Sequence, residues 1–368
     1  MIQHPSFSKV AFRFDSSTWI GSGHAVRCST LGRALLRQGV EVHILTREMP
    51  GHSIESLKGQ GFLVHPLPKI SQPLESNCEL PHGTWLGVDQ ETDLTQCSKK
   101  LSSLGRFDWL ITDHYALDHR WQKPIRQFTK RILAIDDVAD RKLEADILLD
   151  QNYFKNPSER YLGLVPEDCL LLLGPSFALL KEDFQQLTSQ ISHRDGKIRR
   201  IFVFFGGFDE PSLTARWVDA FISLPQQDVV ADVVINKKHP SFSKLKIISQ
   251  ADPRLKLHSD LPSLGPLMLK ADLAFGGGGT TTWERCCLGL PSIVISLAEN
   301  QISIAKALSQ ANILGYLGHH DQLNEKSMQY HLSQLIKNGP DPNWAEASRF
   351  LVDGKGTLRT AETMSEIF

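Results

Sequence analysis

Phe14-Asp-Ser-Ser-Thr-Trp-Ile-Gly-Ser-Gly-His-Ala-Val-Arg-Cys28 joins a short apolar run to an amphipathic one. The run before it, Lys9-Val-Ala-Phe-Arg-Phe14, predicts a buried first strand. After it, Ala25, Leu31, Ala34, Leu35 and Leu36 recur at helical spacing as far as Arg37, and Gly39 offers a helix stop. Between the two, Gly21 and Gly23 allow a tight turn and the close approach of a ligand to the backbone. His24 falls at or beside the first helical turn, where free N–H groups and the positive end of the helix dipole favour an anion such as phosphate. Strand, glycine turn and helix make an anion site with an imidazole in its mouth.

Working outward, the first half alternates strand and helix signals. Strands are predicted at 40–46, 62–67, 85–89, 108–113, 131–137, 146–150 and 169–174, with helical segments around 91–103 and 117–129. Such alternation argues for parallel sheets covered by helices on both faces. Ligands bind beyond the carboxyl ends of such strands, where Asp15, Asp113, His114, Tyr115, Asp136 and Asp137 would sit. The polar, basic segment Ser192–Arg200 reads as a linker. Strands then resume at 200–207, 229–235, 272–275 and 291–296, with a helix at about 212–222.

The fold class expected is α/β, GT-B-like: two Rossmann-like domains with parallel sheets facing across a cleft. The divisions expected are 1–190 for a domain carrying the Gly-Ser-Gly-His loop, 191–345 for a nucleotide-binding domain, and 346–368 for a C-terminal helix. Fold analogy alone places that helix back on the first domain.

Composition bounds the partners. Lys plus Arg number 40 against 41 for Asp plus Glu, which gives no support to nucleic-acid binding. The chain start lacks a signal-peptide layout, and no apolar run reaches a membrane span, so a soluble, cytoplasmic protein is expected. Cys28, Cys78, Cys97, Cys169, Cys286 and Cys287 are scattered without a C-x-x-C pair and are expected reduced; neither metal nor cofactor is expected. The sequence is silent on oligomeric state.

A second glycine cluster, Gly276-Gly-Gly-Gly-Thr-Thr-Thr-Trp-Glu284, follows a predicted strand and opens a helix. Its backbone N–H groups and the Thr280, Thr281 and Thr282 hydroxyls suit a diphosphate. Glu284 is placed either to accept the two hydroxyls of a ribose or to close a capping box. No Gly-Lys-Ser/Thr follows and neither cluster is G-x-G-x-x-G, which disfavours ATP with magnesium and NAD alike.

The motifs taken together carry a resemblance. Asp15-Ser-Ser, Gly21-Ser-Gly-His-Ala-Val-Arg-Cys28, Asp113-His-Tyr-Ala-Leu-Asp118, Ile135-Asp-Asp-Val-Ala-Asp-Arg141, Leu148-Leu-Asp-Gln-Asn152, Leu173–Leu180, Gly206-Gly-Phe-Asp209, Thr282–Pro291 and Leu297-Ala-Glu-Asn-Gln301 occur in that order over roughly residues 9–315. This string resembles the UDP-sugar hydrolases of pseudaminic acid biosynthesis, which release UDP from UDP-2,4-diacetamido-2,4,6-trideoxy-β-L-altropyranose. That family is similar to the GT-B transferase that adds GlcNAc in peptidoglycan synthesis. The resemblance implies metal-independent hydrolysis with inversion and a UDP-sugar as the small-molecule partner. It further implies UDP on the C-terminal domain and catalytic groups reaching over from the N-terminal one. The substrate and UDP contacts expected are Gly21, Gly23, Gly207, Gly278, Gly279, Thr280, Thr281, Thr282, Glu284 and Gln301.

Cleaving a sugar–diphosphate bond with water needs a positioned water and a base for its proton. His24 is the expected base, with helix capping as its alternative. Asn300 would orient His24 or the water, or cap the helix that follows. Tyr115 would contact the sugar or a phosphate, and Asp15 a sugar hydroxyl or amide. Asp113, Asp136 and Asp137 read equally as substrate ligands or as caps. A GT-B glycosyltransferase and a non-catalytic nucleotide-sugar binder are the competing readings.

Overall fold

The computed structural model describes residues 5–72, 78–207, 209, 212–226 and 228–368. The chain forms two compact units, Met1–Leu179 with Lys355–Phe368, and Leu180–Gly354. The boundaries expected at 190/191 and 345/346 both lie inside the second unit.

The first unit is built on a seven-stranded sheet of β1 (Lys9–Phe14), β2 (Glu41–Arg47), β3 (Leu63–Leu67), β4 (Phe107–Asp113), β5 (Thr129–Ile135), β6 (Ile147–Asp150) and β7 (Leu170–Leu173). The order is β3-β2-β1-β4-β5-β6-β7, and every pairing is parallel. Side chains alternate between its faces, as the pleat requires. Val10, Phe12, Phe14, Ile111, Leu133 and Leu149 pack on one side with Leu31 and Leu35 of the Gly23–Arg37 helix. Ala361 and Met364, from the final helix Gly356–Glu366, fill the same layer. Ala11, Leu110, Ala134 and Leu148 face the other way, onto Cys97, Leu101 and Trp121.

The second unit has six parallel strands: β8 (Arg200–Phe204), β9 (Val230–Val234), β10 (Leu255–His258), β11 (Leu273–Gly276), β12 (Ser292–Ser296) and β13 (Gly315–His319). Their order is β10-β9-β8-β11-β12-β13. Ile201, Val203, Phe275 and Ile295 pack against Trp217 and Phe221 of the Leu213–Ile222 helix.

The segment expected as a strand at 85–89 is a 3-10 turn instead, Gly83–Leu86, ended by Gly87 in the left-handed region. The helix-prone stretch near the end is two helices, Trp344–Leu351 and Gly356–Glu366. All six cysteines are free, and all but Cys78 are buried. No helix among the described residues is long and apolar enough to cross a membrane.

Beneath β1 and β2 lies an ion network fully shut from solvent. Arg13 contacts Asp93 at 2.6 Å and Asp15 at 2.7 Å, and Arg47 contacts Asp93 at 2.7 Å. Trp121 Nε1 donates to Asp93 as well. Burial pushes the Asp93 carboxyl up, but the Arg13 charge and hydrogen bonds outweigh it and hold the group below its usual range. Removing one member of a buried pair strands the other charge. Asp93→Ala is therefore expected to destabilise the protein by about 3–5 kcal/mol, read by guanidinium unfolding. A loss below about 1 kcal/mol would mean that water reaches the network.

Candidate active site

In a parallel sheet all carboxyl ends lie along one edge, and the register sets which of them are neighbours. Phe14 at the end of β1 pairs with Asp113 at the end of β4. The turn that leaves β1 is closed by the Gly21 N–H on the Ser17 carbonyl, with Gly21 at φ 83°. The Gly23–Arg37 helix starts directly after it, without a side-chain cap from Ser22. His24 is thus the second helical residue, and Arg27 stands one turn later on the same face.

Both converge on Asp113. His24 Nδ1 lies 2.6 Å from Asp113 Oδ1. Arg27 grips the same carboxylate with Nε to Oδ2 at 2.7 Å and Nη2 to Oδ1 at 2.6 Å. The Cys28 thiol donates to Oδ2 at 3.2 Å. Burial pushes Asp113 upward, yet the charges of Arg27 and His24 and their hydrogen bonds hold it well below the usual carboxylate range. An ionised carboxylate only accepts hydrogen bonds. The hydrogen of a neutral His24 therefore resides on Nδ1, and Nε2 carries the lone pair.

The network runs on from Arg27. Its Nη1 donates to Asp137 Oδ2 at 2.5 Å, and Asp137 also accepts Asn152 Nδ2 at 2.8 Å and the Tyr115 hydroxyl. Burial, reinforced by Asp137, raises Tyr115 well above the ordinary phenol value, so it remains a donor. Its ring meets the His24 imidazole edge-on with centroids 4.7 Å apart, while Trp85 stands at 6.4 Å. With a neutral imidazole, Asp113, Arg27 and Asp137 sum to one negative charge. A proton arriving on His24 brings the group to neutrality.

The other strand-end acids have internal duties. Asp15 is fully buried; it accepts Arg13 Nη2 at 2.8 Å, the Arg47 N–H at 2.6 Å and the Thr46 hydroxyl at 3.3 Å. Its oxygens are taken up by these partners and by His114, whose Nε2 lies 3.3 Å away. Asp136 accepts the Ala139 N–H at 2.8 Å and pairs with Arg141 at 2.8 Å; it ties the turn after β5 and caps no helix, since the next element is β6. Asp150 is pushed up to about 7 by burial and then by Asp137, with Arg160 opposing.

In the second unit, β11 ends at Gly276 and the glycine loop leads through Thr280 into the short Thr281–Cys287 helix. Gly278 and Thr281 are half-buried and Gly279 is exposed. The Thr282 hydroxyl is spent on the Gly277 carbonyl at 3.3 Å. Gln301 Oε1 accepts both the Gly278 N–H at 3.2 Å and the Leu297 N–H at 2.9 Å, stapling two loops together. Gly207 is half-buried just past β8. Asn300 is exposed, and Ala298 rather than Asn300 caps the Glu299–Gln310 helix.

Glu284 closes no capping box, since Thr280 makes no side-chain cap. It is 8% exposed, and Oε2 has no hydrogen-bond partner among the described residues. Burial pushes its carboxyl up to about 7, against the opposing charges of Lys181 and Arg285. A buried acceptor left without a donor is either an energetic liability or a ligand contact.

Of the expected site, the first unit therefore holds Gly21, Gly23, His24, Tyr115 and Asp15, and the second holds Gly207, the glycine loop, Glu284, Asn300 and Gln301. Arg27, Asp113, Asp137 and Asn152 carry the His24 network but drew no such role from the sequence. The available signal was the spacing of three between His24 and Arg27.

No protein-family model matches the chain. It is similar to the UDP-2,4-diacetamido-2,4,6-trideoxy-beta-L-altropyranose hydrolase of Campylobacter jejuni, at 26% identity over 82% of this chain and 96% of that protein. The spore coat polysaccharide biosynthesis protein SpsG of Bacillus subtilis is 25% identical over 53% of the chain, and the match spans 58% of that relative's length. An uncharacterised Methanocaldococcus jannaschii protein is 22% identical over 80% of the chain and 56% of its own length. Among solved structures, Acinetobacter baumannii MurG matches with a TM-score of 0.65 at 14% identity, over 98% of this chain and 99% of that one. The spinosyn rhamnosyltransferase SpnG, complexed with thymidine diphosphate, matches at 0.61 and 15% identity, over 96% of this chain and all of that one. The fold is GT-B. In GT-B terms, the His24 network belongs to the N-terminal unit and the glycine loop to the C-terminal one.

The unpaired Glu284 has a measurable signature. With a folded value of about 7 against the ordinary 4.5, the folded protein keeps a proton that the unfolded chain releases. Stability should accordingly fall as pH rises from about 4.5 through about 7, by up to about 3 kcal/mol. Glu284→Gln is expected to abolish that fall, so that its advantage over the ligand-free parent grows between pH 4.5 and 7 in chemical denaturation. Parallel stability curves for the two proteins would mean that Glu284 has a partner in solution.

Proposed function

We propose that this chain hydrolyses a UDP-linked 2,4-diacetamido-2,4,6-trideoxyhexose, releasing UDP and the free sugar with inversion at C1. The observation that carries the reading is the His24–Asp113–Arg27 array, a base whose tautomer is fixed and whose protonated form is charge-compensated. Similarity to the Campylobacter hydrolase over most of both chains supports the substrate class.

His24 Nε2 takes a proton from water as the water oxygen bonds to C1. The C1–O bond to UDP breaks on the opposite face, and its electron pair leaves with the diphosphate. Direct displacement inverts the anomeric centre, whereas a carboxylate nucleophile would retain it. UDP is already a good leaving group, so one base is sufficient. Asp113 keeps Nδ1–H in place and stabilises the imidazolium that forms, the role a carboxylate takes beside a catalytic histidine elsewhere. Tyr115, with its hydroxyl spent on Asp137, contributes its ring as a wall beside the imidazole. Asn300 is an exposed amide of the second unit, offered to the attacking water. In the second unit, Gly278, Gly279, Thr280 and Thr281 receive the diphosphate, and Glu284 accepts the ribose hydroxyls that satisfy its buried oxygen; Thr282, buried and bonded to the Gly277 carbonyl, holds the loop instead.

The GT-B neighbours include glycosyltransferases, which favours one alternative: transfer of the same sugar to an acceptor hydroxyl deprotonated by His24. Release of UDP without any acceptor separates the two. Purified protein should be offered a panel of UDP-linked diacetamido-trideoxy hexoses while free UDP and the first-formed anomer are followed by NMR. His24→Ala is expected to lower kcat by roughly 10²–10⁴-fold with little change in UDP affinity. Asp113→Asn, which favours the wrong tautomer, should cost at least about 10²-fold. An unaltered rate in His24→Ala would remove His24 as the base, and an acceptor requirement would convert the reading to a transferase.

A further inference from the structure

Arg285 is the buried arginine that stands apart from the others. Arg13, Arg27, Arg47, Arg141 and Arg254 each lie within ion-pair distance of a carboxylate. Arg285 is fully buried, and among the described residues no carboxylate comes that close. Its partners are neutral: Nη2 donates to the Gly277 carbonyl at 2.9 Å and to the Thr282 hydroxyl at 3.1 Å, and Nη1 to the Thr281 hydroxyl at 3.4 Å. Nε has no partner among the described residues. Enclosing a lone guanidinium in this way is costly, and burial pulls its pKa down to about 10.

The location of the charge is built into the loop. A Cβ placed on Gly276 would meet Arg285 Nη1 at 2.2 Å and the Phe204 carbonyl at 2.8 Å. Position 276 is glycine because the guanidinium occupies the space of a side chain there. The loop wraps a cation from within, and its outer surface at Gly279 is open: a Cβ added there would meet nothing within 4 Å.

We propose that Arg285 is a positioning residue for the diphosphate of a bound nucleotide, its charge completed by the ligand across the Gly276–Gly279 loop and its fork fixing the shape of that loop. This rests on the reading of the loop as a nucleotide site, and adds the requirement that the ligand itself bring the missing anion. Affinity then follows phosphate charge, with UDP above UMP and UMP above uridine. The ligand-free protein carries an electrostatic penalty that Arg285→Gln removes.

The test is calorimetric titration of the full chain and of Arg285→Gln and Arg285→Lys with UDP, UMP, uridine and pyrophosphate, alongside thermal melting without ligand. Arg285→Gln is expected to melt no lower than the parent, to bind UDP at least about tenfold more weakly, and to bind uridine within about twofold of the parent. Arg285→Lys should recover part of the UDP affinity. Equal weakening of UDP and uridine, a clearly lowered melting temperature, or failure of Arg285→Gln to fold would make the residue purely structural and overturn the proposal. Unchanged UDP affinity would overturn it too, leaving the nucleotide reading intact. Binding of another nucleoside diphosphate in place of UDP would remove the uridine reading and leave the role of Arg285 standing. A parent protein that binds no diphosphate would overturn both.

Discussion

A carboxylate sealed from water must receive its hydrogen bonds from the protein around it. Asp113 receives them from a guanidinium, an imidazole and a thiol on consecutive turns of one helix. Because that carboxylate ends β4 and the helix follows β1, the contact exists only while the two strands hold their parallel register. The hydrogen on Nδ1, the lone pair on Nε2 and the reach of Arg27 to Asp137 all derive from it. The sheet thereby dictates which nitrogen of His24 is chemically available, two steps removed from the imidazole.

The second unit shows the opposite economy of charge. Glu284 and Arg285 are adjacent, both buried, and neither is neutralised by an ion pair among the described residues. One carboxyl is driven toward its neutral form and one guanidinium loses part of its basicity for the same reason, the absence of water. On the function proposed above, ribose hydroxyls partner the first and a diphosphate the second.

Much of this was legible in the chain because central parallel strands are buried on both faces and read as unbroken apolar runs. Lys9–Phe14, Phe107–Asp113 and Ser292–Ser296 follow that rule. Leu255–His258 and Gly315–His319 escaped notice because they are the two edge strands of their sheet and carry polar residues or glycine. Trp85–Asp89 misled for the converse reason: Trp85 is apolar through packing beside His82 and Tyr115 rather than through membership of a sheet. At the site, His24 announced itself through its glycine turn, but Asp113 as its partner requires the β1–β4 register, which no local pattern encodes. Asp15 looked available from its strand-end position alone. Residues two apart on a strand share a face, so Arg13 already marked it as an internal ion-pair partner.

The final helix completes the hydrophobic layer begun by the first strand. Ala361 and Met364 lie against Val10, Phe12 and Leu31, although residues 180–354 intervene in the chain and build a different unit. During synthesis, which runs from the amino end, the first-made sheet therefore waits with one face only partly covered, by the Gly23–Arg37 helix, until the last-made helix emerges. The second unit has every residue it needs before the first one does, so the half of the molecule translated later can be the first to fold to completion.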